Sequence, residues 1–314
     1  MASAVSTAAE REQTVATLRA GDEVHCVLAC TRKERQISRA GSPYLTVELR
    51  DATGTILARA FRDADSLAGG FERGQLVRVR GRVERFRDQL QIDLSEIGRA
   101  DGAGADPTSF LPVAYRDLDE LDGFLEHLAR EVYDAELKAL LESLLGDSQM
   151  RADIRLAPCS APAETAGRGR ATSIHHAYLG GLLEHTVAVA TLALELCALH
   201  PRLDRDLLIT AAIVHDLGKT REFSYGAEIR QSREGRLLGH VELGLRLLAP
   251  RMPQAMREER RLALEHCVIA HHGPDPASTT PRFASAEALA LYRLNALDAH
   301  LKGAFELGFP ALEH

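Results

Sequence analysis

Apolar and polar positions alternate in short runs between residues 21 and 100. In residues 44–50, Leu45, Val47 and Leu49 fall on one face, the period of two that marks a half-buried strand. Residues 51–54 (DATG) are a turn signal, and residues 55–61 begin the next strand. Residues 76–86 turn Val77, Val79 and Val83 inward and Arg78, Arg80 and Arg82 outward. With residues 24–30 and 90–94 this gives about five strands, interrupted by one helical stretch near 66–71. So many short strands in so little chain predict a five-stranded OB-type β-barrel.

The pattern changes after residue 100. Residues 101–115 are rich in Gly, Ala, Asp and Pro and read as a linker. Leu118, Leu121, Leu125, Leu128, Val132 and Leu137 then recur at helical spacing. Residues 182–199 and 206–217 are apolar nearly all round, the mark of buried helices. The expected organisation is a flexible N-terminus (1–20), the barrel (21–100), the linker (101–115) and an all-α domain (116–314).

Composition adds less than its total suggests. With 45% hydrophobic and 26% charged residues, the chain is globular and not disordered. The net charge of -7 argues at first against nucleic acid. By region, however, the barrel is +2, residues 101–150 are -9, and residues 151–314 are neutral. The acidic excess is confined to the connecting stretch. No apolar run reaches the ~18 residues of a membrane span, and the first residues carry neither basic nor apolar leader regions. Five cysteines without a CxxC pair suit a reduced cytoplasm.

Eleven of the 13 histidines lie after residue 150. Glu184-His185, His215-Asp216, His240, His271-His272 and Asn295-Ala-Leu-Asp298 follow in order. His185 and the His215-Asp216 pair sit in helices otherwise made of Leu, Ala, Val and Ile. A buried carboxylate beside buried imidazoles is costly unless a partner satisfies it. A metal cation takes carboxylate oxygens and neutral imidazole nitrogens together. Gly218 and Gly273-Pro274 fit helix ends facing such a site. His25, His127, His200, His266 and His300 read as ordinary structural or surface residues.

The spacing His185, His215-Asp216, Asp298 resembles the HD superfamily of metal-dependent phosphohydrolases. The strings HHAYLGGLLEHT (175–186), VHDLGK (214–219), GH (239–240) and AHHG (270–273) resemble one branch more narrowly. That branch is the YhaM-like 3′→5′ exoribonucleases, which place an OB-type domain ahead of the HD domain. The resemblance implies that His185, His215 and Asp216 bind a first metal. Asp216 would then bridge to a second, held by His240 with His271, His272 or both. The family's last ligand lies in a D-x-x-D-A pattern, read here as Asn295-Ala-Leu-Asp298-Ala. The resemblance makes the first Asp of that pattern the usual ligand, and it is Asn here, so Asp298 becomes the expected substitute, with Asn295 as the alternative.

Two cations about 3.5–4 Å apart can share a water and lower its pKa. Mixed imidazole and carboxylate ligands favour Mn, Fe, Co or Zn over Mg; manganese is the first expectation, with Fe, Co, Zn or Ni as alternatives. Lys219, the only lysine between 139 and 301, is the candidate cation for phosphoryl charge. His175 and His176, after the basic Arg168-Gly-Arg170, are candidates to contact a substrate phosphate. On the barrel, Arg78, Arg80 and Arg82 form a basic face, and Phe86, Phe61 and Tyr44 are stacking platforms for bases. The expected function is a cytoplasmic, metal-dependent 3′→5′ exoribonuclease acting on single-stranded RNA and releasing nucleoside 5′-monophosphates. Single-stranded DNA as a second substrate and a homo-oligomer are left open, and no membrane partner is expected. The rivals are a phosphohydrolase of small nucleotides and an OB-type nucleic-acid-binding protein with an impaired HD site.

Overall fold

The computed structural model describes residues 13–38, 41–100, 106–162, 174–274 and 282–308. Two compact units emerge, Met1–Leu111 with Tyr225–Glu228, and Pro112–Ser224 with Ile229–His314.

In the first unit the alternating segments become β1 (Glu23–Ile37), β2 (Pro43–Asp51), β3 (Gly54–Ala60), β4 (Leu76–Phe86) and β5 (Gln89–Arg99). They close a barrel in the order β1-β2-β3-β5-β4. All neighbours are antiparallel except β3 and β5, which run parallel with Ala58 opposite Ile92. β1 is twice as long as its apolar pattern, because a bulge between Cys30 and Arg32 lets it pair β4 with one half and β2 with the other. Its polar second half gains backbone partners rather than a buried face, so alternation does not reveal it. Leu28, Leu45, Val47, Leu49, Val77, Val79 and Ile92 fill the interior. The predicted helix is α1 (Ala64–Gly69), between β3 and β4.

Residues 13–20, grouped above with a flexible N-terminus, carry a 3-10 turn at Val15–Thr17. The Val15 N–H donates to Asp51 at 2.7 Å, and Leu18 is buried in the barrel core. Within the expected linker, Pro107–Ser109 form a second such turn, and Phe110 and Leu111 are buried.

The second unit holds α2 (Leu118–Arg130), α3 (Ala135–Leu145), α4 (Ser148–Leu156), α5 (Gly181–Leu199), α6 (Arg205–Val214), α7 (Lys219–Glu222), α8 (Arg233–Leu248), α9 (Glu258–Ala270) and α10 (Ala286–Leu307). The short strands β6 (Phe223–Tyr225) and β7 (Ile229–Gln231) pair with each other, a departure from the all-α expectation. α2 and α3 are separate because Asp134 stops one pattern and caps the next, accepting from the N–H groups of Glu136 and Leu137. Asp117 and Asp147 cap α2 and α4 in the same way. Part of the acidic excess is therefore helix-capping chemistry. α5 is long and apolar enough by length and composition to cross a membrane, yet half of its apolar window is buried in this unit. It packs among α2, α4, α6 and α10 as a core helix.

Candidate metal centre

His185 projects from the second turn of α5. His215 caps the C-terminus of α6, and Asp216 follows in the turn that leads to α7. The turn is possible because residue 218 is Gly. A Cβ there would collide with the carbonyl of His240 and the N–H of Gly244. Gly218 has an ordinary right-handed backbone, so its role is close approach and not the helix-ending conformation expected above. Inside α8, Gly239 adopts φ +71°, a conformation natural to glycine, and this kink presents His240. His271 caps α9.

The four imidazoles follow one rule. Each Nδ1 meets an acceptor: Asp298 Oδ2 for His185 (2.6 Å), the Ala212 carbonyl for His215 (2.9 Å), Glu222 Oε2 for His240 (3.2 Å), and the Val268 carbonyl for His271 (2.6 Å). These acceptors assign the proton of each neutral ring to Nδ1, which leaves each Nε2 a bare lone pair. All four Nε2 atoms surround Asp216. Those of His185 and His215 lie 3.5 and 3.3 Å from its Oδ2, and those of His240 and His271 lie 3.5 Å from its Oδ1.

Acceptors thus face acceptors. His185 Nε2 and His215 Nε2 are 3.2 Å apart, and no proton is available to join them. Among the described residues, Asp216 Oδ1 and His271 Nε2 are buried without any hydrogen-bond partner. Such orphaned atoms cost about 1–3 kcal/mol each. Divalent cations resolve the conflict, since each lone pair then has an electrophile to bind. Among the described residues four donor groups form: His185-His215-Asp216 and Asp216-His240-His271-His272 meet at Asp216, and His176-His185-Asp298 and Cys159-His175-His185 share only His185 with them. The cluster fits divalent-metal binding.

Electrostatics agrees. Burial alone would raise the Asp216 carboxyl, but the Lys219 ammonium holds it well below the usual range. Burial keeps the His185 imidazole neutral, and holds His271 down to about 4. Lys219 is buried and 2.8 Å from Asp216 Oδ2, and it also donates to Cys159 Sγ at 3.2 Å. Burial opposes its charge, but Asp216 more than restores it.

The remaining expectations divide. His272 joins the second group through His240, with the two Nε2 atoms 2.8 Å apart. Asp298 sits on the outer nitrogen of His185 and shares no donor group with Asp216. Asn295 is buried and donates to the His271 carbonyl at 3.3 Å. His175 and His176, expected to reach a substrate phosphate, are only 5% and 1% exposed. They pack against His185, one ring tilted and the other edge-on, and desolvation keeps both neutral, His176 down to about 3. They form the wall of the site and not a phosphate-facing loop. Arg168 and Arg170 lie outside the described residues.

Sequence reasoning missed Cys159, which contacts Asp216 and Lys219. It missed Glu222 as well. It also missed the network that holds the wall: Tyr178 and Lys302 donate to Glu184 at 2.7 and 3.0 Å, and the His176 N–H donates to Glu306 at 3.1 Å. The Gly180-Gly181 pair was the available signal. A Cβ on Gly181 would collide with the His176 carbonyl, so the glycine marks where the histidine loop presses on α5.

On the barrel, the outward arginines of β4 are partly spent on neighbours. Arg80 pairs with Glu96 at 3.4 Å, and Arg82 stands opposite Glu23 and Asp93. Of the aromatic platforms, Phe61 and Phe86 are exposed and Tyr44 is half-buried. Tyr44 and Phe61 stack at 5.5 Å between centroids, and Arg59 and Arg87 lie over Phe86. Phe61 is 56% and Phe86 47% exposed.

Residues 182–300 match the family model of the HD domain, and residues 30–98 that of an OB-fold nucleic acid binding domain. The chain is 29% identical over 293 residues to the 3′-5′ exoribonuclease YhaM of Shouchella clausii, covering 90% of this chain and 85% of that one. It is 28% identical over 285 residues to the 3′-5′ exoribonuclease YhaM of Bacillus subtilis, covering 90% and 86%. Among solved structures, the small single-stranded DNA-binding protein from Streptomyces coelicolor is 20% identical, covering 27% of this chain and 98% of that one, with a TM-score of 0.24.

Proposed function

This chain carries an OB-fold domain followed by an HD domain, and from that premise we propose that it is a metal-dependent 3′→5′ exoribonuclease. The substrate is single-stranded RNA, and the products are nucleoside 5′-monophosphates. The observation that carries the reading is the ring of four bare Nε2 atoms around Asp216, in a chain similar over nine-tenths of its length to exoribonucleases.

Two divalent cations, manganese first, would supply Lewis-acid charge to a phosphodiester and lower the pKa of a water. His185 and His215 would hold one against Asp216 Oδ2, and His240 and His271 the other against Oδ1, with His272 beside His240. Lys219 keeps Asp216 ionised while the site is empty of metal. It also adds positive charge beside the reacting phosphoryl group. His175 and His176 close the wall behind His185 and keep water from its ring. Phe61, Tyr44 and Phe86 would stack bases, and Arg59 and Arg87 beside Phe86 would favour the backbone.

The test is 5′-labelled single-stranded RNA with purified protein and Mn²⁺. The reading predicts progressive 3′ shortening that His215→Ala abolishes. Binding without shortening under every divalent cation would identify a nucleic-acid-binding module, for which Asn295, in place of the first Asp of the D-x-x-D-A pattern, is the specific argument. Hydrolysis of free nucleotides alone would identify a small-nucleotide phosphohydrolase.

A further inference from the structure

The two halves of the centre are built alike, and in each one carboxylate meets the Nδ1 of an imidazole whose Nε2 lies against Asp216. Asp298 accepts from His185 Nδ1, and Glu222 accepts from His240 Nδ1. We infer that Glu222 and Asp298 are positioning residues, each locking one imidazole with its Nε2 turned to Asp216. This deepens the cation reading of the site and rests on it.

Glu222 is the more telling of the two. Its side chain is 5% exposed, at the end of a four-residue helix that begins three residues after Asp216. The surroundings hold it in place. Its backbone carbonyl accepts from Ser232 N–H at 2.8 Å, and Oε1 accepts from the Gln231 amide at 3.0 Å. Residue 235 is Gly, and a Cβ there would strike Glu222. Oε1 accepts from Gln231 and Oε2 faces His240 Nδ1, so these two partners sit on different oxygens. A glutamine at 222 would keep one of those oxygens and replace the other with an NH₂ donor.

Asp298 does the same for His185 from α10. The other two imidazoles, His215 and His271, use the carbonyl three residues back on their own helices. A residue at a helix end finds that acceptor locally. His185, early in α5, and His240, behind the Gly239 kink, use none of their own helix's carbonyls. Their acceptors come from side chains elsewhere. This explains why the chain places acids at these two positions. A carboxylate behind a ligating histidine fixes its tautomer and strengthens it as a donor, and its loss lowers metal affinity about 10–100-fold.

The experiment uses the full chain, with Mn²⁺ titrated calorimetrically into the wild type, Glu222→Gln, Glu222→Ala and Asp298→Ala. The wild type should show two binding events. Glu222→Ala should weaken one of them about 10–100-fold, Asp298→Ala the other, and Glu222→Gln should fall between wild type and Glu222→Ala. ¹⁵N NMR of the histidine rings in the metal-free wild type supplies a readout independent of folding of the variants. His185 and His240 should be protonated on Nδ1. Protonation of either on Nε2 would overturn the inference. So would variants that bind metal as the wild type does. A wild type that binds no divalent cation would instead overturn the function proposed above.

Discussion

Nε2 of His215 stands 3.3 Å from Oδ2 of Asp216, two acceptors with no proton between them. The protein holds this repulsion inside a buried cluster, so a cation that relieves it must stabilise the fold. Ligand at a hundred times its Kd contributes about 2.7 kcal/mol, or roughly 5–10 °C in a domain of this size. Thermal melting with Mn²⁺ and with EDTA should differ by that amount. His215→Ala should lose most of the difference.

Lys219 neutralises Asp216 in the metal-free site. Lys219→Met leaves the carboxylate buried without its partner, which should cost about 3–5 kcal/mol in EDTA. Saturating Mn²⁺ should recover much of this, because the cations supply the missing charge. Denaturant melts of both proteins, with and without metal, check this. A variant as stable as the wild type in EDTA would contradict the pairing.

Gly218→Ala places a methyl against the backbone of α8 at His240 and Gly244. Overpacking of this kind costs about 1–3 kcal/mol or more. Moving His240 should weaken the second cation more than the first. Calorimetric titration should therefore show one Mn²⁺ event preserved and one weakened. Two unchanged events would refute the close-approach argument.

Acid should unfold the helical unit through its caps. The Asp117, Asp134 and Asp147 carboxyls are all held below their ordinary value. The backbone N–H of Glu120 is the main cause at Asp117, and that of Met150 at Asp147. At Asp134, burial opposes the shift, but the Leu137 N–H and Arg260 outweigh it. A carboxyl with a depressed folded-state pKa contributes stability that is present above its unfolded pKa. That stability is lost as pH falls through the folded value. The loss should therefore begin below about pH 4. Circular dichroism melts at pH 7, 4 and 3 measure it. Asp134→Ala, which loses one cap, should cost about 1 kcal/mol at pH 7 and less at pH 3.

On the barrel, Phe61→Ala and Phe86→Ala should each weaken binding of a single-stranded oligonucleotide by about 1–3 kcal/mol. Arg82→Ala should matter less, since Arg82 already faces Glu23 and Asp93. Fluorescence anisotropy with a labelled RNA decides. The reverse order would return the arginine face to the leading role.

The barrel was legible because its core is local: Leu45, Val47 and Leu49 announce a strand without reference to partners. The polar half of β1 was not, since its strand character comes from pairing with β2. The histidines were legible because charge inside apolar helices is physically odd. Glu222 and Cys159 were not, because each sits in an unremarkable stretch and reaches the site only through tertiary packing. The outward arginines of β4 were read correctly as outward, but the acids opposite them belong to other strands. That Asp298 meets Nδ1 of His185, 2.6 Å away, needs atom-level geometry that spacing cannot supply.

The central claim is that Asp216 divides two cation sites between its two oxygens. Anomalous scattering from crystals of the Mn²⁺-soaked protein tests it directly. Two peaks about 3.5–4 Å apart are predicted on either side of Asp216, one bonded to Nε2 of His185 and His215, the other to Nε2 of His240 and His271. A single peak, or peaks bonded through the Nδ1 atoms, would contradict it.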